Sequence, residues 1–385
     1  MGRQDMACLA CIRQIAGEKH MISIRNRVGG TQALVAAGIL VCLLAGCTVV
    51  GPTAIRSGRL AYNDAITETN SQQLLMAIIN NRYEEQIGLL AVASVTANVS
   101  VTTSSAVQLG FGDLDDYAGN LVPFSAGSVY EENPTISYIP VSGQRYMLQL
   151  MSPVPIKILA RFAETMTDPA PIYTALVANI NNLHNPDFLI SPAEPDPDFS
   201  RVVSHLSTLT QAQCLHWIED PRNHGYSIVI DNYKPTHTAR VTELLDLLGL
   251  QSLQDGSGRL ILPVSLALHG RDNGGIGIIT RSVFDLMEIL SAAVEVPGHE
   301  KDSGIATTYP PSGLAGKALR IHHARENPEH AYVRVKHRDY WFYIDETDQP
   351  TKQYFRLLST LWSTTIAEST TKGAAAPVLT VPVSR

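Results

Sequence analysis

The sequence predicts an α+β protein, with N-terminal helices carrying a β-hairpin and then a mixed antiparallel sheet with flanking helices. Apolar residues recur at three- and four-residue steps in some stretches and alternate strictly in others. The two kinds of stretch follow one another without the regular strand–helix–strand units of a parallel α/β fold. Clusters of Pro and Gly cut the chain into short pieces. Among the 385 residues 45% are apolar and the net charge is −7, which provides a sizeable core. These figures exclude a low-complexity disordered chain and a polybasic nucleic-acid binder.

Residues 1–46 read as a signal segment. Arg25 and Arg27 precede a stretch without charge from Val28 to Ile55, whose apolar heart is Ala33–Leu44. A basic n-region, an apolar h-region of about a dozen residues and small residues at the cut define an export signal. The end of this stretch, Leu44-Ala45-Gly46-Cys47, resembles a bacterial lipobox. That resemblance implies that Cys47 receives fatty acyl chains such as palmitate and becomes the first mature residue, with Thr48 after it favouring the outer membrane. The alternative is an uncleaved inner-membrane helix over Ala33–Gly51, long enough to cross roughly 30 Å of hydrocarbon. Met21 opens a more usual signal than Met1, which leaves the Cys8 and Cys11 pair upstream of any role. Losing the leader removes five basic and two acidic residues, so Cys47–Arg385 carries −10. Its cysteines are Cys47 and Cys214, so no intramolecular disulfide staples the fold; Cys214 is expected on a helix as an inert buried thiol.

Two further parts are expected, 47–190 and 200–385. Gly51–Arg59 reads as a tether. From Leu60 the residues Tyr62, Ile66, Leu74, Leu75, Ile78, Ile79 and Tyr83 fall on a helical stripe, interrupted by the polar run Thr67–Gln73, so one helix or two. Ala93–Thr102 alternates Ala and Val with Ser, Thr and Asn, the pattern of a half-exposed strand. With Thr135–Val141 it predicts a hairpin closed by a long Gly- and Asp-rich loop, Gly110–Gly127. Helices are expected at Tyr146–Met151, Pro155–Thr165 and Ile172–Leu183, and the proline-rich stretch His184–Phe199 reads as a linker.

In the second part, Ser200–Trp217 and Thr238–Leu248 are helical in pattern, the latter closed by Gly249. Ser227–Ile230, Arg259–Leu268 and Gly277–Ile279 are extended, and Thr280 is placed to cap a helix running to about Val294. Leu319–His323 reads as a strand. Ala331–Lys336 and Tyr340–Ile344 flank a short turn and form the clearest hairpin. Asp348 caps a final helix with the stripe Tyr354, Leu357, Leu358 and Leu361, and Pro377–Val383 closes the chain as a strand.

Several of these landmarks together resemble a family of proteobacterial lipoproteins with no established activity. The matching pieces include Tyr62-Asn63-Asp64-Ala65-Ile66, Gln73-Leu74-Leu75, Pro134-Thr135-Ile136-Ser137-Tyr138 and Gly143-Gln144-Arg145-Tyr146. Ile279-Thr280-Arg281-Ser282, Val294-Glu295-Val296-Pro297 and Tyr340-Trp341-Phe342-Tyr343-Ile344-Asp345 continue the match towards the C-terminal Ala376-Pro377-Val378-Leu379-Thr380. The resemblance implies a location in the envelope and adds no mechanism.

Motifs for catalysis are weak. Gly313–Ala318 lacks the first Gly and the hydroxyl of a phosphate loop. Ser369 and Lys372 have the S-x-x-K spacing without its companion motifs. His299-Glu300 lacks the second His of a zinc protease. His322, His323, His330 and His337 could approach one another on strands, but their spacing matches no standard site. No catalytic residue, metal or cofactor is therefore assigned. The most suggestive composition is the C-terminal hairpin. There Tyr332, Arg334, Lys336, Arg338, Tyr340 and Trp341 set amphipathic aromatics beside cations, a combination suited to an anionic glycan or a peptide carboxylate. The expected function is an outer-membrane-anchored lipoprotein acting as a periplasmic structural or protein-interaction module. The alternative is an envelope hydrolase or a glycan- or peptide-binding module. Expected partners are the membrane, through the lipid, and envelope proteins; self-association is compatible with the small uncharged face of the Ala93–Thr102 strand, and nucleic acid is not expected.

Overall fold

A computed structural model describes residues 50–96, 99–106, 125–132, 135–185, 197–221, 224–250, 259–268, 275–309, 318–371 and 379–382. Contacts divide the chain into residues 1–65 and 66–385. The described part of the first unit is the opening of helix α1 (Val50–Arg82). The expected tether Gly51–Arg59 is thus helical, and Pro52 is tolerated because the first helical N–H groups have no intrahelical partner. The polar run Thr67–Gln73 does not break α1; its residues are exposed or half-buried, while Leu74, Leu75, Ile78 and Ile79 behind them are buried. Cys47 and most of the Ala33–Gly51 alternative lie outside the described residues. No helix among the described residues is long and apolar enough to cross a membrane.

After α1 the expected strand Ala93–Thr102 becomes two strands, β1 (Leu90–Thr96) and β2 (Val99–Ala106). They pair antiparallel with β4 (Thr135–Pro140) and β3 (Ser125–Glu132) respectively. Ser125–Gly127, expected in the loop, therefore belong to β3. The β1–β4 pair, joined by β14, and the β2–β3 pair are two separate sheets among the described residues.

Three short helices follow: α2 (Gln144–Leu150), α3 (Ile156–Thr165) and α4 (Ala170–Leu176). The helix expected over Ile172–Leu183 stops at Leu176, because Val177, Asn179 and Ile180 enter a sheet as β5 (Val177–Ile180) and are buried there. Asn181 and Asn182, both with positive φ (41° and 70°), turn the chain into β6 (Leu183–His184). Asn is the non-glycine residue most tolerant of that conformation, and two positive φ values match the twist of a two-residue hairpin.

Helix α5 (Pro197–Gln211) also ends earlier than expected, and Leu215–Glu219 forms β7. Cys214 therefore stands at the entry to a strand, not on a helix, and is buried. Then come β8 (Tyr226–Ile230), α6 (Thr238–Leu247), β9 (Leu260–Leu266) and β10 (Ile276–Thr280). These strands assemble a six-stranded mixed sheet in the order β6-β5-β10-β9-β8-β7, with β9 and β10 parallel. Pro263 is accommodated in β9 because the parallel pairing begins one residue later, at Val264. Gly275 passes so close that a Cβ there would lie 2.7 Å from the Pro263 carbonyl oxygen. Strands β5 and β6 pair into this sheet with β10, and contacts place residues 66–385 in one unit.

The helix expected from Thr280 begins two residues later. Helix α7 (Val283–Ala292) is capped by Ser282, whose hydroxyl accepts from Asp285 N while the Asp285 carboxylate accepts from Ser282 N, a complete capping box. Thr280 instead donates to the Val154 carbonyl at 2.6 Å. Between them Arg281, 1% exposed, donates Nη1 to the carbonyls of Thr174 and Ala175 at 2.9 Å each. It thus satisfies the last turn of α4, where helix carbonyls lack intrahelical donors.

The chain closes with α8 (Gly298–Asp302), β11 (His322–Ala324), β12 (Ala331–His337), β13 (Tyr340–Asp345), α9 (Gln349–Thr371) and β14 (Leu379–Pro382). Asp348 caps α9 as expected, accepting from Thr351 N at 3.1 Å. Strand β14 adds to the free edge of β4. Helix α9 buries Phe355, Leu358, Leu361 and Trp362, and Trp362 Nε1 donates to the Tyr146 hydroxyl on α2 at 2.8 Å. Strands β11, β13 and β12 make a separate antiparallel sheet of three.

Candidate functional site

The three-stranded C-terminal sheet holds the residues singled out by composition. Its alternation is regular: Val333, Val335, His337, Tyr340, Phe342 and Ile344 are buried, while Arg334, Lys336, Trp341, Tyr343 and Asp345 are half-buried or exposed. Successive strand residues face opposite sides, so these are the inner and outer faces of one sheet. In register, Arg334 stands opposite Tyr343, which stands opposite His322; Lys336 stands opposite Trp341, which stands opposite Ala324. Two rows of a cation beside an aromatic therefore cross the outer face.

The six candidate residues separate. Arg334, Lys336 and Trp341 share the outer face. Tyr332 sits at a bulge between Ala331 and Val333 and packs edge-on against Phe355, with the Lys352 ammonium 4.9 Å from its ring centre. Tyr340 is 7% exposed and belongs to the inner face, with His323 and His299 at 5.5 and 5.9 Å between ring centres. Arg338 is in the turn and reaches a carboxylate from another part of the chain.

That carboxylate is Glu85. Its oxygens accept from Arg338 at 2.7 Å and meet His337 Nε2 at 2.9 Å. The His337 hydrogen bond first, and then Arg338, hold the Glu85 carboxyl below its ordinary pKa. The Arg338 guanidinium also lies 5.0 Å from the Tyr83 ring centre, and His337 stacks on the same ring at 4.8 Å. Arg338 occupies the left-handed region (φ 53°), a conformation that costs a residue with a Cβ roughly 1–2 kcal/mol. The ion pair with Glu85 and the Tyr83 ring hold the turn in that shape. Beneath it the Tyr83 hydroxyl donates to Glu300 at 2.5 Å, and Glu300 is 5% exposed. Burial raises the Tyr83 phenol above its ordinary value, and the bond to Glu300 adds to the effect. Aromatic, cationic and anionic groups here answer one another, so the cluster acts as a latch between the end of α1 and the hairpin.

The outer face has a second acidic neighbour that composition did not reveal. Glu295 arrives there because Val294 bridges Ile321, with Glu295 N donating to the Ile321 carbonyl at 2.9 Å. Its carboxylate meets His322 Nδ1 at 3.0 Å and Arg320 at 3.6 Å. Only the Val294–Pro297 motif pointed to this position. The histidines do not converge: His322 and His323 take opposite faces, and His337 pairs with Glu85. Among the described residues no three His, Cys, Asp or Glu side chains gather as a metal would require. The carboxylates that reach His322 and His337, Glu295 and Glu85, are 38% and 39% exposed, whereas the buried Glu300 meets a phenol.

A cleft of about 750 Å³ lies elsewhere, between α4 and α9. Its size suits a small molecule. Its floor is apolar, with Phe162, Met166, Leu319 and Leu357, and Asp168 at its rim already accepts from Ser207 at 2.6 Å. No family model, curated protein or solved structure matches this chain. What stands is an α+β protein with a cation-and-aromatic sheet face and a polar latch at its hairpin turn.

Proposed function

We propose that this chain is an outer-membrane lipoprotein, anchored through acylated Cys47, whose periplasmic α+β body is a binding and interaction module of the cell envelope. The leader and the lipobox-like Leu44-Ala45-Gly46-Cys47 support the anchor. The observation that carries the binding role is the outer face of β12 and β13, where Lys336 lies opposite Trp341 and Arg334 opposite Tyr343. A flat aromatic beside a fixed cation recognises a sugar or peptide backbone and its carboxylate together. Peptidoglycan fragments with free peptide carboxylates fit that chemistry.

Tryptophan fluorescence tests it cleanly. Of the three tryptophans, Trp217 and Trp362 are 5% and 4% exposed, so a surface ligand perturbs Trp341. Titration with soluble muropeptides is expected to shift the emission, and Lys336→Glu is expected to weaken binding about tenfold or more, because it places a like charge against the ligand carboxylate. An unshifted emission at millimolar ligand rejects the face as a binding site. Turnover of the muropeptide in the same titration, lost in Glu295→Gln, moves the assignment to an envelope hydrolase built on the His322–Glu295 pair. The anchor is checked separately: Cys47→Ser is expected to abolish incorporation of labelled palmitate, and globomycin to hold the chain in its longer, uncleaved form.

A further inference from the structure

The cleft between α4 and α9 takes no part in the C-terminal face or its latch. Its shape follows from side-chain size. On α9, Pro350, Gln353, Leu357 and Thr360 recur at three- and four-residue steps, so one face of that helix looks into the cleft. The residues of α4 that face it include Ala170, Pro171, Thr174 and Ala175, whose side chains are short. The space they leave is about 750 Å³, within the roughly 300–1,000 Å³ of small-ligand sites. Phe162 and Met166, at the end of α3, extend the apolar lining. Ile172, Leu319 and Leu357 are buried in the main core, so the floor is fixed in place.

Two charged residues line the cleft, and their situations differ. Asp168 accepts from the Ser207 hydroxyl at 2.6 Å and from the Ala170 N–H at 3.0 Å, so the protein itself engages its carboxylate. Arg356 is exposed, and its guanidinium has no ion pair or hydrogen-bond partner among the described residues. A chain of net charge −7 thus presents an apolar hollow with one uncommitted cation at its edge. The two features select different halves of one ligand. Apolar walls favour hydrocarbon, each buried methylene strengthening binding about fourfold. A guanidinium fork matches a carboxylate bidentately. A polar ligand leaves the floor unmatched, and a cationic one is repelled by Arg356. The volume is that of one small ligand, which favours a single chain over the two of a phospholipid.

We propose that the α4–α9 cleft binds a single-chain fatty acid, with its hydrocarbon on Phe162, Met166, Leu319 and Leu357 and its carboxylate on Arg356. This goes beyond the anchored binding module above and depends on neither the anchor nor the C-terminal face. Photolabelling tests it. Full-length protein in a maltoside detergent is mixed with dodecanoic acid carrying a diazirine near its methyl end, irradiated and mapped by peptide mass spectrometry. Label is expected on the peptides that hold Met166, Leu319 or Leu357. Unlabelled dodecanoic acid is expected to displace it, whereas dodecyltrimethylammonium at equal concentration is not, because its head has the opposite charge. Arg356→Glu is expected to weaken labelling of these peptides about tenfold or more, since a like charge then faces the carboxylate. Its melting temperature is expected to match that of the parent, because Arg356 is exposed and holds no partner among the described residues. Label without enrichment in these peptides, equal displacement by the two head groups, or unchanged labelling of Arg356→Glu overturns the proposal. So does displacement by phosphatidylglycerol in preference to dodecanoic acid, which assigns the cleft to a two-chain lipid.

Discussion

The two β-structures at opposite ends of the chain use their strands in opposite ways. The C-terminal sheet guards its edges and displays a face. Strand β11 is short, β12 carries Arg334 and Lys336, and the hairpin turn is latched by Glu85. Its inner face rests on buried side chains such as Phe342 and Ile344, so its outer face is a rigid platform. The ribbon of β2 and β3 has no third strand among the described residues, and the sequence of β2 carries no charge. A guarded edge with a varied face suits recognition of a ligand; an uncharged strand with a monotonous sequence suits pairing with another backbone, here β3. In the second case the hydrogen-bonding ladder supplies the affinity and the side chains need only avoid conflict.

The contrast is broken most severely from beneath the platform. Phe342→Ala removes a side chain that is 1% exposed and is expected to cost about 3–5 kcal/mol, a large part of the 5–15 kcal/mol typical of a domain. Urea denaturation measures it, and a loss below 1 kcal/mol would mean that the sheet does not rest on this contact. Tyr83→Phe deletes the hydroxyl that Glu300 accepts from and is expected to cost about 1–3 kcal/mol, because the carboxylate is left buried without that donor. Retention of full stability in that variant would remove the latch from the account.

A smaller, pH-dependent effect comes from Glu85. Its carboxyl is depressed in the folded state by His337 and then Arg338, so the pair stabilises the protein above the ordinary carboxylate pKa near 4.3. That contribution is lost as pH falls through the depressed folded value. Thermal melts of the parent and Glu85→Gln are therefore expected to differ at pH 6 and to converge towards pH 3. The difference corresponds to about 1 kcal/mol or less, since the carboxylate is 39% exposed and screened. A gap that is the same at both pH values would show that ionisation of Glu85 is not its source. The smallest effect is expected from Lys336→Ala on the outer face: stability within about 0.5 kcal/mol of the parent, with weakened ligand binding. A destabilised variant would make Lys336 part of the scaffold and blur the distinction between platform and site.

Much of the fold was legible from local pattern. The stripe Leu74–Ile79, the hairpin around Arg338 and the cap at Asp348 each rest on residues close in sequence, and each formed. The two helices expected to run too far share one cause. Ile172–Leu183 and Ser200–Trp217 have helical periodicity, yet Val177–Ile180 and Leu215–Glu219 became strands because a sheet from distant segments gave their backbones partners. Short apolar runs satisfy both periods, and only tertiary pairing chooses between them. The Asn181-Asn182 pair was the local sign of a turn there. At the site, the cation-and-aromatic composition was visible, but its division into two faces was not. Tyr340 went inward with the alternation, and a bulge turned Tyr332 towards α9.

By itself the sequence determined what depends on composition and near neighbours: an acidic chain of α+β pattern, a clear C-terminal hairpin, and a stretch from Leu90 to Ala106 without a charge. The tertiary structure alone decided which groups meet. Glu85, Glu295 and Glu300 are ordinary acidic residues in the sequence, yet one latches a strained turn, one meets a histidine on the outer face of the C-terminal sheet, and one is buried against a phenol. The partners of Glu85 and Glu300 lie more than two hundred residues away in the chain. A carboxylate's role is set by the burial and the charges around it, and long-range packing supplies both.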